Sequence, residues 1–321
     1  VQAALDKNPG PVTIEIQGVC RENVTVSRDW VTLRGRDPAT DGIESQMADL
    51  YSDGLRPAVV AWKASPVVLE NLTLRGGLSV IGNLYYAPAD LPYAYSYGEF
   101  FHVTNCILEG GAVNVSVRDG YLTLRDVTVG ASSLYGIYCL RGQVQCWRCH
   151  VENGNSGGAA VQLAQFSRGD FTDSTITASG GTPAFQMYVS SRAWLISSQV
   201  TAAEGSALEV DINSQLGVNS SEFSGPLRVS RNSVIQLKGS TQVVNPHQNH
   251  VRVDSTLFTD GTTDAPNTLV GPLWIYDFGR AVLRGTTVDG DLECFTGGDA
   301  VADETGVTVT GSITGCEHTP G

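Results

Sequence analysis

Short stretches of alternating apolar and polar residues recur along this chain, each bounded by Gly, Ser, Asn or Asp. One phrase reads "YLTLRDVTV" (121–129), "VQCWRCHVE" (144–152), "GDFTDSTIT" (169–177), "AWLISSQVT" (193–201) and "LGVNSSEFS" (216–224). Its apolar anchors Leu124, Cys146, Phe171, Leu195 and Val218 recur at steps of 22, 25, 24 and 23 residues. A second phrase follows the first: "GIYCL" (136–140), "AVQLA" (160–164), "AFQMY" (184–188), "ALEVD" (207–211), "PLRVS" (226–230), "HVRVD" (250–254), "PLWIY" (272–276) and "DLECF" (291–295). Earlier, "LSVIG" (78–82) and "AVNVS" (112–116) fit the same template. Period-two alternation with turn residues at both ends predicts strands.

A repeat of about 20–25 residues is too short for a propeller blade, which needs roughly 40–45, and the leucine-rich consensus is missing. The repeat predicts an all-β solenoid, a single-stranded parallel β-helix. Each coil is a rung, and equivalent residues stack about 4.8 Å apart. About twelve coils use residues 1–321 as one domain, with an N-terminal cap over 1–10 in which "VQAALDKNP" forms a short helix. Cys139 then shares an inward column with Leu163, Met187, Val210, Val229, Val253, Ile275 and Cys294, and Cys146 joins Leu124 and Leu195.

Charge and cysteine content narrow the setting. The chain carries 33 acidic and 20 basic residues, for a net charge of −13, and its only lysines are Lys7, Lys63 and Lys238. That balance opposes nucleic acid and anionic membranes, and disfavours polyanions unless a local basic patch exists. No apolar run is long enough for a membrane span, so no membrane insertion is expected. The chain opens directly on ordered-looking sequence at Val1, which is expected if any signal peptide has been removed. "CWRCH" (146–150) has the spacing of a haem attachment motif, but the repeat gives its cysteines an inward structural place. A disulfide inside this cluster, or one joining Cys294 to Cys316, fits an oxidising, extracytoplasmic location, secreted or at the cell surface.

The segment "PVTIEIQGVCRENVTVSRDWVTLRGRDPATDGI" (11–43) resembles the first coils of secreted right-handed parallel β-helix proteins, the pectin-lyase-like superfamily. Gly18, Cys20, Glu22 and Asn23 match that family's turn, and "TLRG" (32–35) matches its following strand. The resemblance implies a right-handed coil and a Cys20 paired with a cysteine upstream of the cap. It implies no catalytic residue, because the pectate lyase, pectin methylesterase and polygalacturonase signatures are absent.

The outward positions of the second phrase form two columns. One holds Asn114, Tyr138, Gln162, Gln186, Glu209, Arg228, Arg252, Trp274 and Glu293. The other holds Ser116, Leu140, Ala164, Tyr188, Asp211, Ser230, Asp254, Tyr276 and Phe295. Aromatic faces beside amides, carboxylates and guanidinium groups suit a sugar, and a long flat face suits a polysaccharide. Tyr138, Gln162, Gln186, Tyr188, Trp274 and Tyr276 are the candidate binding residues. Glu209, Asp211, Arg228 and Arg252 are the candidate catalytic ones. Glycoside hydrolysis needs two carboxylates about 5–5.5 Å or about 6.5–9.5 Å apart, and Glu209 and Asp211 fall within reach of either spacing. A lyase needs a base and a partner for the uronate charge, which Arg228 and Arg252 with Tyr188 or Tyr276 can supply. Asp211 and Asp254 are two oxygen donors toward Ca²⁺, fewer than the six to eight it takes. No other cofactor is expected. The alternative function is a non-catalytic surface scaffold or adhesin, or a trimeric tailspike-like module.

Other segments are weaker candidates. His247 and His250 share a turn beside this face, and His102 and His318 have no visible partner. The connection 37–60, with Asp41, Glu44, Asp49 and Asp53, reads as structural. Sequons begin at Asn23, Asn71, Asn114 and Asn219. "GNLYYAPADLPYAYSYGEFF" (82–101) breaks the repeat and is expected to be an inserted loop that walls the groove, with Tyr93, Tyr95 and Tyr97 as binding residues.

Overall fold

The computed structural model describes residues 1–48, 55–82, 100–154, 157–245, 248–252, 254–262, 265–302 and 306–316. The strands fall into three parallel sheets of thirteen strands each. The fold is an all-β parallel solenoid of about twelve turns. A short helix, Gln2–Lys7, precedes the first strand and buries Leu5. The Gln2 amide donates to Glu22 Oε2 at 3.0 Å. The chain divides into two compact units, Val1–Val161 with Ser167–Gly169 and Gln162–Phe166 with Asp170–Gly321.

In the first unit the inward residues repeat at constant register. Leu33, Leu69, Val103, Leu124 and Cys146 follow one another in the first sheet. Leu74, Leu108, Val129 and Val151 do so in the second, and Ala61, Val80, Val117 and Cys139 in the third. All are buried. Alternation on a pleated strand sends these side chains inward and their neighbours out. Cys139 and Cys146 thus sit in the core as small hydrophobes, with Cys106 and Cys149 buried beside them. None of the four is in a disulfide, nor is the partly exposed Cys20.

Asp41 lies within a connection that reads as filler, yet it is buried. Its carboxylate accepts from the amides of Gly18 and Arg36, both at 2.8 Å. Those backbone donors hold its pKa below the ordinary aspartate value. Phe100 and Phe101 begin a strand, Phe100–Thr104, and Phe101 is buried opposite Val67, so the inserted segment ends before them.

The second unit has the same construction. Leu195, Val218 and Leu237 line its first sheet, Val200, Phe223 and Val243 its second, and Met187, Val210 and Val229 its third. Val251, Ile275 and Cys294 continue the third-sheet column. Two serine ladders run inside this unit. Ser191, Ser214, Ser233 and Ser255 are joined in turn by backbone N–H to Oγ bonds of 3.1–3.2 Å. Ser174, Ser198 and Ser221 form the second ladder in the same way. Each hydroxyl gives a buried amide its partner. Cys294 and Cys316 form a disulfide.

In seven of the turns from the first sheet to the second, a non-glycine residue lies in the left-handed region. It is Asn71, Asn105, Asp126 and Arg148 in the first unit, and Asp173, Ser197 and Ser220 in the second. Asn, Asp and Ser suit that conformation through their short polar side chains. Arg148 does not, and it is held by a two-point pair with Asp126, at 2.6 and 2.8 Å.

Candidate functional site

Parallel register fixes the outward columns of the third sheet. In the first unit Ser79, Ser116 and Tyr138 are register partners. This corrects the expected place of Asn114. Its side chain is fully buried, its Oδ1 accepts from the Gly111 amide at 2.8 Å, and its Nδ2 donates to Gly130 O at 2.7 Å. Buried this way, the Asn114 sequon presents nothing to a glycosylating enzyme. Tyr138 is partly exposed and stacks on Tyr135, with ring centroids 5.2 Å apart. Burial, with Tyr135 adding to it, raises the Tyr138 phenol pKa.

In the second unit the first column begins as an amide ladder, whose first member, Gln162, is buried and not exposed as a binding residue would need to be. Gln162 Nε2 donates to Gln186 Oε1 at 2.5 Å, and Gln186 Nε2 donates to Glu209 Oε2 at 3.2 Å. Arg228 is the register partner of Glu209. The next partner of Arg228 is His250, which is followed by Trp274 and then Glu293. Arg252 therefore does not lie in this column. It pairs with Tyr276, in the second column.

The sequence places His250 in a turn beside this face and not in the column, because "HVRVD" aligns by its valines. The strand Asn249–Arg252 instead begins with an inward Asn249, where its neighbours have Leu227 and Leu273. Asn249 tolerates that burial because its Oδ1 accepts from the Leu227 amide at 3.1 Å. The inward column accordingly holds Val251, and Val253 lies outside the described residues.

The second outward column separates the two expected catalytic carboxylates. Asp211 is buried, and both its oxygens are engaged. Oδ1 accepts from Ser230 Oγ at 2.8 Å, Arg231 Nε at 2.6 Å and its neighbour Ile212 N at 2.9 Å, while Oδ2 accepts from Arg231 Nη2. Asp211 is thus a structural ion-pair partner, and Glu209 has no second free carboxylate beside it on its own strand. The same bonds occupy the oxygens that a Ca²⁺ ion would need. Among the described residues no three His, Cys, Asp or Glu side chains gather as a metal site would require.

Farther along, four aromatic rings meet edge to face. His250 lies 5.8 Å from Trp274 and 5.9 Å from Tyr276, and Phe295 lies 5.5 and 6.2 Å from those two, centroid to centroid. Tyr276 Oη and His250 Nδ1 are hydrogen bonded at 3.1 Å. The Arg252 guanidinium lies 6.0 Å from the Tyr276 ring centre. Trp274, Tyr276, Asp277, Phe295 and Thr296 line a cleft of about 340 Å³. The buried Trp274 Nε1 has no hydrogen-bond partner among the described residues. Burial, then the nearby positive charges of Arg228 and Arg252, lowers the His250 pKa. Tyr188 is partly exposed on the same unit. Tyr93, Tyr95, Tyr97, His247, His318, Asp49 and Asp53 lie outside the described residues.

Fold and site together define a parallel β-solenoid with a mixed aromatic and charged outward face. No family model matches the chain, and no curated protein is significantly similar to it. Among solved structures, the crystal structure of DFA-IIIase from Arthrobacter chlorophenolicus A6 is similar at 9% identity and a TM-score of 0.32, over 96% of this chain and 76% of that one.

Proposed function

We propose that the outward face of the third sheet in the second unit, from Gln186 to Phe295, binds a polysaccharide. The observation that carries this reading is the cleft that Trp274, Tyr276 and Phe295 line. Aromatic rings offer flat apolar area for the C–H face of a sugar. Gln186 and Glu209, hydrogen bonded to each other and partly exposed, extend the polar surface beyond the cleft. The Cys294–Cys316 disulfide supports an exported protein. No helix among the described residues is long and apolar enough to cross a membrane.

A non-catalytic scaffold is the second reading. It is favoured by the same ladder, since Gln186 is bonded to both its neighbours without any ligand. Affinity electrophoresis through gels containing neutral or acidic polysaccharides separates the two. Retardation by at least one polymer, weakened about tenfold in Trp274→Ala, supports binding; tenfold corresponds to ~1.4 kcal/mol. No retardation in any gel leaves the scaffold.

A further inference from the structure

The cleft at Trp274 has a single charged residue in its lining, Asp277, beside three aromatic rings and Thr296. The rings meet edge to face, at 69° for Trp274 with Phe295 and 82° for Tyr276 with Phe295. That arrangement leaves ring faces uncovered where stacking would hide them, and an aromatic face carries the negative side of the ring quadrupole. Phe295 is 44% exposed, and Trp274 and Tyr276 are partly exposed.

The carboxylates near the cleft lack partners. Arg231 pairs with Asp211 and Arg280 with Asp299, whereas Asp254, Asp277 and Glu293 make no ion pair among the described residues. Asp254 and Asp277 are exposed at left-handed turn positions of successive coils, φ 54° and 55°, with the Asp254 amide donating to Asp277 O at 3.1 Å. Their backbones are thus one rung apart, about 4.8 Å, and their like charges repel. Glu293 is the register partner of Trp274. The opposing charges come from the preceding coils. Arg252 approaches the Tyr276 ring centre to 6.0 Å from the neighbouring strand, and Arg228 is one strand farther, beyond His250. His250 touches Trp274 and Tyr276 but is neutral at physiological pH, because burial and then those two arginines lower its pKa from 6.5.

On the reading that this face binds a polysaccharide, we infer that the polymer carries ammonium groups, as unacetylated amino sugars do. A hexosamine ring matches both halves of what the cleft offers. Its C–H face packs on an indole or phenyl face, and its ammonium meets the Asp277 carboxylate while drawn by the negative ring faces. A cation there also relieves the repulsion between Asp277 and Asp254. A uronate or sulfated sugar would set a like charge against Asp277, and a neutral sugar would leave that charge unanswered. The net charge of −13 adds a general attraction for an approaching polycation.

Chitosan joins the neutral and acidic polymers as a further gel, and calorimetry compares the glucosamine hexamer with the N-acetylglucosamine hexamer and with hexalysine, at about 0.15 M salt. The full chain should be retarded by chitosan. The glucosamine hexamer should bind at least about tenfold more tightly than the other two, since acetylation removes the charge and hexalysine lacks the ring. Trp274→Ala and Asp277→Asn should each weaken it about tenfold, with the circular dichroism spectrum unchanged. Asp173→Asn removes the same charge at an exposed turn between the first and second sheets, and should leave binding unchanged. Equal binding of the acetylated hexamer, equal binding of hexalysine, or an equal loss in Asp173→Asn overturns the inference. So does retardation by neutral or acidic polymers without chitosan, which leaves glycan binding standing. No retardation in any gel overturns both.

Discussion

Trp194 lies directly over Gly217, its register partner in the first sheet of the second unit. A β-carbon at 217 would stand inside the contact distance of the indole Cε3 and Cζ3. Gly217→Ala should therefore push the indole off the strand, at a cost of about 1–3 kcal/mol. Trp194 is already 42% exposed, so the displacement should appear as a red shift in its emission as well as a lower urea midpoint.

The serine ladder gives a second test. Ser214 Oγ accepts from the Ser191 amide at 3.2 Å, and both residues are fully buried. Ser214→Ala should leave that amide without a partner and cost ~1–3 kcal/mol. Hydrogen exchange at Ser191 should accelerate together with the fall in the unfolding midpoint.

The disulfide closes a separation of 22 residues. Chain entropy assigns a loop of that size a stabilisation of about 3 kcal/mol. Cys316→Ser should lower stability by that order. Its effect on hydrogen exchange should be greatest at the last strands, Val307–Val309 and Ile313–Thr314.

Thiol chemistry should sort the five cysteines outside the disulfide. Burial pushes the pKa of Cys106 and Cys139 up to about 12, and raises that of Cys146 well above the ordinary thiol value. Cys149 is buried as well, and Cys20 is partly exposed. In native protein at mildly alkaline pH, iodoacetamide should modify Cys20 and spare the other four until urea is added. Peptide mass spectrometry reads the result directly.

Acid should weaken the fold through its histidines. Burial lowers the His102 pKa from 6.5, and burial with Arg228 and Arg252 lowers that of His250 from the same value. Arg228, Trp274 and Tyr276 face His250 from the neighbouring strands, and Arg252 lies on its own. Below 6.5 the unfolded chain binds more protons than the folded one, so stability falls with pH until the folded pKa values are passed. Urea midpoints should decline from neutral pH toward about pH 5, and His250→Gln should remove part of that slope. Asp41, Asp126 and Asp291, whose pKa values are lowered from 3.8, act in a separate and more acidic window.

The periodicity of the inward residues was enough to read the fold, because each coil needs one apolar side chain per sheet facing the axis. Cys139 and Cys146 fell into place on that ground alone. The outward columns were less legible. Alternation says which face a residue shows, but a shift of two residues leaves the face unchanged and moves every residue along its strand. Arg252 takes the wrong column in this way, and His250 falls in a turn beside the face when it belongs on it. The signal that would have found it is Asn249, a polar residue at an inward position, which makes sense once it is seen to satisfy the Leu227 amide. Asn114 misled for the same reason, since its burial depends on carbonyls at Gly130 and Ala131 that no local pattern reveals. Asp211 looked like a catalytic partner for Glu209 because the ion pair that occupies it comes from Arg231, one coil later.

Register partners in the third sheet are separated by unequal lengths of chain. Glu209 and Arg228 are 19 residues apart, Arg228 and His250 are 22, and His250 and Trp274 are 24. The spacing between their strands stays near 4.8 Å regardless. The face is therefore a ruler whose graduations do not depend on how much sequence lies between them. Turns can be lengthened, shortened or replaced without moving one mark relative to the next, which makes this surface a frame on which receptor side chains can be exchanged one rung at a time.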